Sequence, residues 1–445
     1  MRITIAGCGA VGRNLAGILV REGNNVTVID RDRANLDAVE ERLDVAAVEG
    51  PCTDIKTLKL AGVVNCDVFV AATDDDEKNV LSAAAAKKLG AGRTIARCRN
   101  PIYTSGGRNK AYAELMDIDL VVNPEDLTAL EIVKLLKAPG ALVIENFAMG
   151  KAQVREIVVG AGSDAAEKTL AQLSLSKLGL VAAISRAGGI IIPKGDTRIL
   201  PEDKVFIIGK QENLTKLMSA FGGARPKGRK IIILGGGKVG LAASQLVEKE
   251  NLNLIVIEKD RERALTVSEN LKKALVLVGD GTDIDLLKEK DIENTDYFVA
   301  LSGDDEDNIV SGLLAKDLGA KSSIVMVERP EYVAIVERLG IDHAVSPRLL
   351  TVTEILRFLK KGRFASVAML ENEGAELVEA RIHPGSKIAG KRLSEAGIPS
   401  GTIIGAIVRG ESVIVPTGAD SVMSGDTLIV FTAQENIPKL ENLMG

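Results

Sequence analysis

Two glycine-rich turns, each answered at a fixed distance by a carboxylate, are the residues of this chain best equipped for chemistry. GCGAVG begins at Gly7, and GGGKVG begins at Gly235, 228 residues later. Each follows a short apolar run, Ile3 to Ala6 or Ile231 to Leu234, and an acid stands 23 residues after each first glycine: Asp30 and Glu258. In a strand–turn–helix unit the first glycine permits a tight turn and the second lets backbone approach a pyrophosphate. The third lets the helix pack closely on the strand. These positions are Gly7, Gly9 and Gly12 in one copy and Gly235, Gly237 and Gly240 in the other. Backbone N–H groups around Cys8, Ala10 and Val11, or Lys238 and Val239, would hold phosphate oxygens at the positive end of the helix dipole. The acid can accept hydrogen bonds from ribose hydroxyls and repels a 2′-phosphate, which favours NAD(H), ATP or ADP over NADP. The neighbouring Arg31 and Lys259 temper that repulsion. The competing reading is that the glycines serve close packing alone.

Further polar residues fall at the same edge of each unit. Thr73-Asp74 and Ser302-Gly303 follow the fourth apolar run, where they can meet a second ribose or phosphates, or simply cap a helix. The acidic runs Asp74 to Glu77 and Asp304 to Asp307 suit a helix start, and no EF-hand spacing makes them a calcium site. Arg97 could neutralise a phosphate, but Met326 stands at its counterpart. Lys238 could reach a phosphate or lie solvated in the first helical turn. Asp280 and Gly281, in GDGTD, correspond to Pro51 and Cys52, in GPCTD. The two sites are related but not equivalent.

Catalytic apparatus is missing from this pattern. The only histidines, His343 and His383, correspond to Leu120 and Gly160 in the other half, so neither belongs to a duplicated site. A dehydrogenase needs an acid or base beside the nicotinamide and a substrate domain. No GxSxG, HExxH or P-loop lysine motif occurs. We therefore read a nucleotide-binding protein that is not an enzyme, with an NAD-dependent oxidoreductase as the alternative.

The elements that must position these residues are also duplicated. VFVAATDDDEKNV from Val68 matches YFVALSGDDEDNIV from Tyr297, and short apolar runs alternate with helical patterns such as Leu81 to Leu89 and Asn308 to Leu318. That alternation predicts an α/β class with a doubly wound parallel sheet in each half. A second module follows each. GSDAAEKTLAQLSL from Gly162 matches GSKIAGKRLSEAGI from Gly385, with Arg186, Pro193 and Asp203 answering Arg409, Pro416 and Asp426. Short strands and turn residues predict a small α+β unit there. The order is A–B–A′–B′, with expected domains at 1–137, 138–223, 231–360 and 361–445 and a linker at 224–230.

Composition narrows the function classes. A chain of 445 residues suits two to four domains. Its net charge of −5 argues against nucleic acid, and 3% aromatic residues without tryptophan leave no stacking platform. No apolar stretch reaches the roughly 18 residues a spanning helix needs, and no secretory signal is visible. A cytosolic protein with at most peripheral membrane contact is expected. Cys8, Cys52, Cys66 and Cys98 show no CxxC spacing and read as reduced, mostly buried residues.

The whole pattern resembles the TrkA family, cytosolic regulatory subunits of Trk-type potassium uptake systems. The resemblance spans essentially the full length. It rests on the paired glycine and acid motifs, on GDGTD and ALSGDDEDNI, and on GTIIGAIVRGESVIVPTGADSVMSGDTLIV near the end. It implies tandem RCK modules, each a Rossmann (TrkA-N) domain followed by a TrkA-C domain, regulated by NAD(H) and by ATP versus ADP. It also implies a homotetramer forming a ring of eight modules, docked on the inner face of the membrane. The implied partner is a potassium-transport subunit of the TrkH, TrkG or KtrB kind. Regulation of another cation channel or antiporter is an alternative, since such systems share RCK modules.

Overall fold

Apolar runs and helical segments alternate in the computed structural model as the sequence leads one to expect, giving two parallel and two antiparallel sheets. The structure describes residues 1–104, 110–137, 141–173, 175, 178–187, 189–222, 229–250, 252–359, 364–370 and 375–444. Most of the expected linker, and the two junctions near Lys137 and Lys360, lie outside the described residues.

The first sheet contains β1 (Arg2–Ala6), β2 (Asn25–Asp30), β3 (Ala46–Glu49), β4 (Val68–Ala71), β5 (Arg93–Arg97) and β6 (Leu120–Val122). All pairings are parallel, in the order β3-β2-β1-β4-β5-β6. Helices on both faces demand strands that are apolar throughout. Accordingly Ile3, Ile5, Val68, Phe69 and Val70 are all fully buried. The strand order reverses between β1 and β4, so a crevice opens at their carboxyl ends. The small sheet that follows has β7 (Ala141–Phe147), β8 (Ala152–Val158), β9 (Leu180–Arg186), β10 (Gly189–Ile191) and β11 (Lys204–Gly209). It is antiparallel, in the order β10-β9-β11-β8-β7.

The second half repeats both sheets. Strands β12 (Lys230–Leu234), β13 (Asn253–Glu258), β14 (Leu275–Val278), β15 (Tyr297–Ala300), β16 (Ser322–Met326) and β17 (His343–Val345) are parallel, in the order β14-β13-β12-β15-β16-β17. Strands β18 (Phe364–Leu370), β19 (Ala375–Arg381), β20 (Thr402–Arg409), β21 (Ser412–Ile414) and β22 (Thr427–Ala433) form the last sheet, with β19 and β22 at the same places as β8 and β11.

Contacts gather these four sheets into two compact units, one of Met1–Val133 with Gly228–Leu359 and one of Lys134–Lys227 with Lys360–Gly445. Like therefore sides with like. Within the first unit, the helix Pro347–Leu359 of the second half buries Val352, Ile355 and Leu359 in a core with Ile3, Leu15 and Val68 of the first. Burying each such side chain contributes about 1.5–3 kcal/mol. The Arg93 guanidinium closes the end of this contact by donating to the carbonyls of Phe358 and Leu359 at 3.1 and 3.3 Å.

Within the second unit, Arg186 donates both arms to the Asp203 carboxylate at 2.7 Å, and Arg409 does the same to Asp426 at 2.8 and 2.7 Å. Each buried aspartate also accepts a backbone N–H, from Leu200 or from Met423. These repeated polar residues are thus explained by bidentate pairs that fix a turn to a strand.

Candidate functional site

Each crevice is built from its turn upward. Gly7 and Gly235 hold φ of 101° and 99°, a left-handed conformation that favours glycine. A Cβ on Gly12 would stand 1.9 Å from the Gly7 carbonyl oxygen, and one on Gly240 1.9 Å from that of Gly235. The first and third glycines are therefore required by the fold itself. The middle ones are not. Gly9 has φ −66° and ψ −173°, Gly237 has φ −64° and ψ −172°, and any residue can adopt these values. An added Cβ at either would meet nothing within 4 Å. Both glycines begin helices, Ala10–Arg21 and Lys238–Glu248, that have no side-chain cap hydrogen bond. Their first-turn N–H groups thus lie beside open space.

The acids brace these turns. Asp30 Oδ2 accepts from Cys8 N at 2.7 Å and Oδ1 from Asp32 N at 2.9 Å. Glu258 Oε2 accepts from Gly236 N at 2.6 Å and Oε1 from Asp260 N at 2.8 Å. A carboxylate offers about four acceptor sites, so capacity for ribose hydroxyls is left on each. The longer Glu258 also explains Gly236, where a Cβ would lie 3.2 Å from Glu258 Oε2 and 2.7 Å from Val267. With the shorter Asp30, that turn position accommodates Cys8. Burial pushes the Cys8 thiol up to about 12, so this cysteine is an inert turn residue.

The opposite wall is held by two asparagines that the sequence reading passed over. Asn79, wholly buried, accepts from Thr73 N at 2.9 Å and Thr73 Oγ1 at 2.7 Å, and donates to the carbonyls of Thr73 and Arg97. Asn308 does the same work on Ser302, accepting from its N–H at 2.8 Å and donating to Ser302 and Met326. Asp75 and Asp304 cap the following helices through Lys78 N and Asp307 N. Asp76 and Asp305 tie those helices to the strand ends, accepting from Arg99 N and Asn100 N, or Glu328 N and Arg329 N. Two acids of each run are consumed by these tasks. The signal available was the repeated Asn, six residues beyond each Thr or Ser.

The first cavity, about 360 Å³, brings together Gly7, Gly9, Asp30, Arg31, Thr73 and Asp74. The second, about 320 Å³, brings together Gly235, Gly237, Glu258, Lys259, Asp280, Gly281, Ser302 and Gly303. Both volumes suit a small-molecule site. Cys8, Val11, Gly12, Val239 and Gly240 are buried behind these walls, and Ala10 sits in the first helical turn. Arg97 lies outside the first cavity, only 8% exposed, with Nη1 donating to the Thr73 carbonyl at 3.2 Å. Burial lowers its pKa, with Arg99 adding to the effect and Glu125 and Glu328 opposing it. Lys238 is exposed, lies outside the second cavity and is electrostatically coupled to Glu125 of the other half.

Charges around the two clefts differ at matched positions. Lys78 lines the first, where it pairs with Asp75 at 2.6 Å, whereas Asp307 occupies the equivalent place in the second. Asn35 in the first corresponds to Arg263 in the second, 3.7 Å from Glu258. Pro51 and Cys52 line the first where Asp280 and Gly281 line the second. Thr282 donates its N–H and hydroxyl to Asp280 and holds that carboxyl below its usual range.

Among the described residues, no helix is long and apolar enough to cross a membrane. The model of the TrkA-N domain matches residues 3–124 and 231–347, and that of the TrkA-C domain matches 154–222 and 377–445. A Trk system potassium uptake protein TrkA homolog from Archaeoglobus fulgidus is 37% identical over 443 residues, covering 100% of both chains. A Trk system potassium uptake protein TrkA from Haemophilus influenzae is 33% identical over 455 residues, covering 100% of this chain and 98% of its own. Among solved structures, the GsuK RCK domain aligns over 100% of this chain and 94% of its own, with TM-score 0.62 and 19% identity. The GsuK channel bound to NAD covers 100% and 78%, with TM-score 0.63 and 19% identity; both are likenesses of fold.

Proposed function

The chain belongs to the TrkA family, and on that premise we propose that it is a nucleotide-sensing regulatory subunit that docks on and gates a potassium-translocating membrane protein. The observation that carries the nucleotide reading is the middle glycine of each turn. Gly9 and Gly237 have neither a backbone conformation nor a neighbour that demands glycine. What their missing side chains preserve is room beside uncapped helix starts, which suits phosphate oxygens. Asp30 and Glu258 fix the turn and offer their remaining lone pairs to ribose hydroxyls. This fits NAD(H), or ATP and ADP as alternative adenine nucleotides. The same reading takes the domain limits to be 1–137, 138–223, 231–360 and 361–445.

The ligand acts here as an effector and undergoes no reaction. It biases the assembly only as far as it prefers one arrangement over another. In this proposal four chains form a ring of eight modules on the inner face of the membrane. A triphosphate or dinucleotide reaches from the glycine turn past Thr73 or Ser302 toward a neighbouring module, and ADP falls short.

Titration calorimetry with NAD+, NADH, ATP and ADP tests the site. Gly9→Val and Gly237→Val are expected to fold normally and to lose about tenfold or more in affinity, each at its own cleft. Unchanged affinity in both variants would refute the assignment. Potassium flux with the membrane subunit reconstituted, read against each nucleotide, tests the gating. Identical solution scattering with ATP and ADP bound would defeat the length argument.

A further inference from the structure

The small-domain unit holds a cavity of about 490 Å³ that the glycine motifs do not account for. Its floor is Arg155, in the middle of β8, on the strand face covered by the helix Gln211–Ala220. Arg155 is 2% exposed. Its Nε donates to Gln153 Oε1 at 2.7 Å, and Nη1 approaches Thr215 Oγ1 at 3.4 Å and Met218 Sδ at 3.1 Å. All three acceptors are neutral. Among the described residues no carboxylate pairs with this guanidinium. Burial alone pulls its pKa down, to about 10, so the group stays cationic at neutral pH. A buried charge without a counter-charge is costly and is normally paired.

More cations surround the same space. Lys137, Lys151 and Lys210 line it, against the carboxylates of Glu212 and Glu411. Glu411 is already engaged, accepting from Lys151 Nζ at 2.9 Å. Lys210 precedes the helix Gln211–Ala220, whose start has no side-chain cap. The duplication supplies a control. Strand β19 places Val378 where β8 has Arg155: Val378 pairs with Val430 as Arg155 pairs with Ile207. Val378 is 1% exposed and packs against Leu440 and Met444. The fold is therefore content with an aliphatic residue there, and the buried arginine answers some other requirement.

We propose that this cavity binds a phosphate-bearing anion, held by the Arg155 guanidinium, the Lys151 and Lys210 ammonium groups and the first-turn N–H groups of the helix Gln211–Ala220. A dianion supplies the counter-charge that the strand lacks, and its oxygens suit the planar guanidinium. Because Lys151 also bonds Glu411 and the Gly410 carbonyl of the second small domain, the anion competes with that contact. Occupancy at this site thereby acts on the pairing of the two small domains.

The test uses the full chain with both crevices saturated by NADH, and calorimetric titration with inorganic phosphate and pyrophosphate at constant ionic strength. Binding is expected for the unmodified protein, with at least about tenfold weakening in Arg155→Met and partial rescue in Arg155→Lys. Arg155→Met removes an uncompensated charge, so its thermal midpoint without anion should match or exceed the parent's. Should that variant fail to fold, Lys210→Ala gives the same readout at the rim, with a severalfold loss expected. No heat from either anion, or equal affinity in parent and Lys210→Ala, would overturn the proposal. Sedimentation with phosphatidylglycerol vesicles separates the two sources of such a group. Arg155-dependent binding to free pyrophosphate but not to vesicles supports a soluble ligand, and the reverse result overturns it in favour of a lipid headgroup.

Discussion

The two crevices share a frame and differ in their fittings. Gly12 and Gly240 meet the same carbonyl at the same 1.9 Å, and Asn79 and Asn308 bond the same backbone groups. Yet Lys78 becomes Asp307, Asn35 becomes Arg263, and Pro51 becomes Asp280 at the cavity wall. What builds the crevice has been kept, while what a ligand's charge would feel has diverged. This teaches that the two sites should fold alike and bind differently. The same inversion appears at the edge where the halves meet. Arg99 pairs with Glu125 at 3.6 Å in the first half, and Glu328 pairs with Arg348 at 3.0 Å in the second, with the signs exchanged.

The comparison breaks most readily at the frame. Gly12→Ala and Gly240→Ala should each destabilise the protein by about 2–3 kcal/mol, because a methyl cannot fit against a carbonyl oxygen. Urea denaturation checks this, and a large difference between the two variants would end the claim of a common frame. Removing the acids comes next. Glu258→Ala should cost about 2 kcal/mol and Asp30→Ala about 1 kcal/mol, since the buried Glu258 leaves more fully desolvated N–H groups without an acceptor. Equal losses would show that the brace, rather than its burial, sets the energy.

Smaller effects sharpen the difference in charge. Lys78→Asp should weaken ATP at the first crevice by about threefold, and Asp307→Lys should strengthen it at the second by a similar factor, as expected for solvent-exposed charges. Calorimetry at low and high salt would show the effect fading as screening rises. The smallest effect concerns His343, whose counterpart is Leu120. Burial holds its pKa below the ordinary histidine value of about 6.5, so below that pH the unfolded chain takes up the proton more readily than the folded one. Stability from this group is complete above that value and is lost as pH falls through the window beneath it. His343→Leu should flatten the acid side of a plot of thermal midpoint against pH; an unchanged slope would exclude the residue as its source.

Much of the site was legible because backbone geometry constrains residue type. Left-handed Gly7 and Gly235 and the tight approaches at Gly12 and Gly240 leave no alternative to glycine, so the pattern in the chain reports the turn directly. The roles of Asn79 and Asn308 were illegible because an asparagine in a helix reports nothing about which carbonyls it faces. Arg97 is the opposite case. Its place at the end of β5 suggested a phosphate partner, but its side chain turns into buried surroundings and bonds Thr73. Strand position fixes where a residue starts, and packing decides where a long side chain ends.

The sequence by itself determined the repeated elements, the parallel class of the two larger sheets and the two glycine turns, because periodicity and backbone strain act within a few residues of each other. Only the tertiary structure decided that like domains pair with like across the A–B–A′–B′ order. It also decided that Val352, Ile355 and Leu359 complete a core begun by Ile3 and Leu15 more than 300 residues earlier. An apolar helix face states that it must be buried and says nothing about which sheet will cover it. Hydrophobic attraction is non-directional, so the partner is chosen by shape once the whole chain is in place.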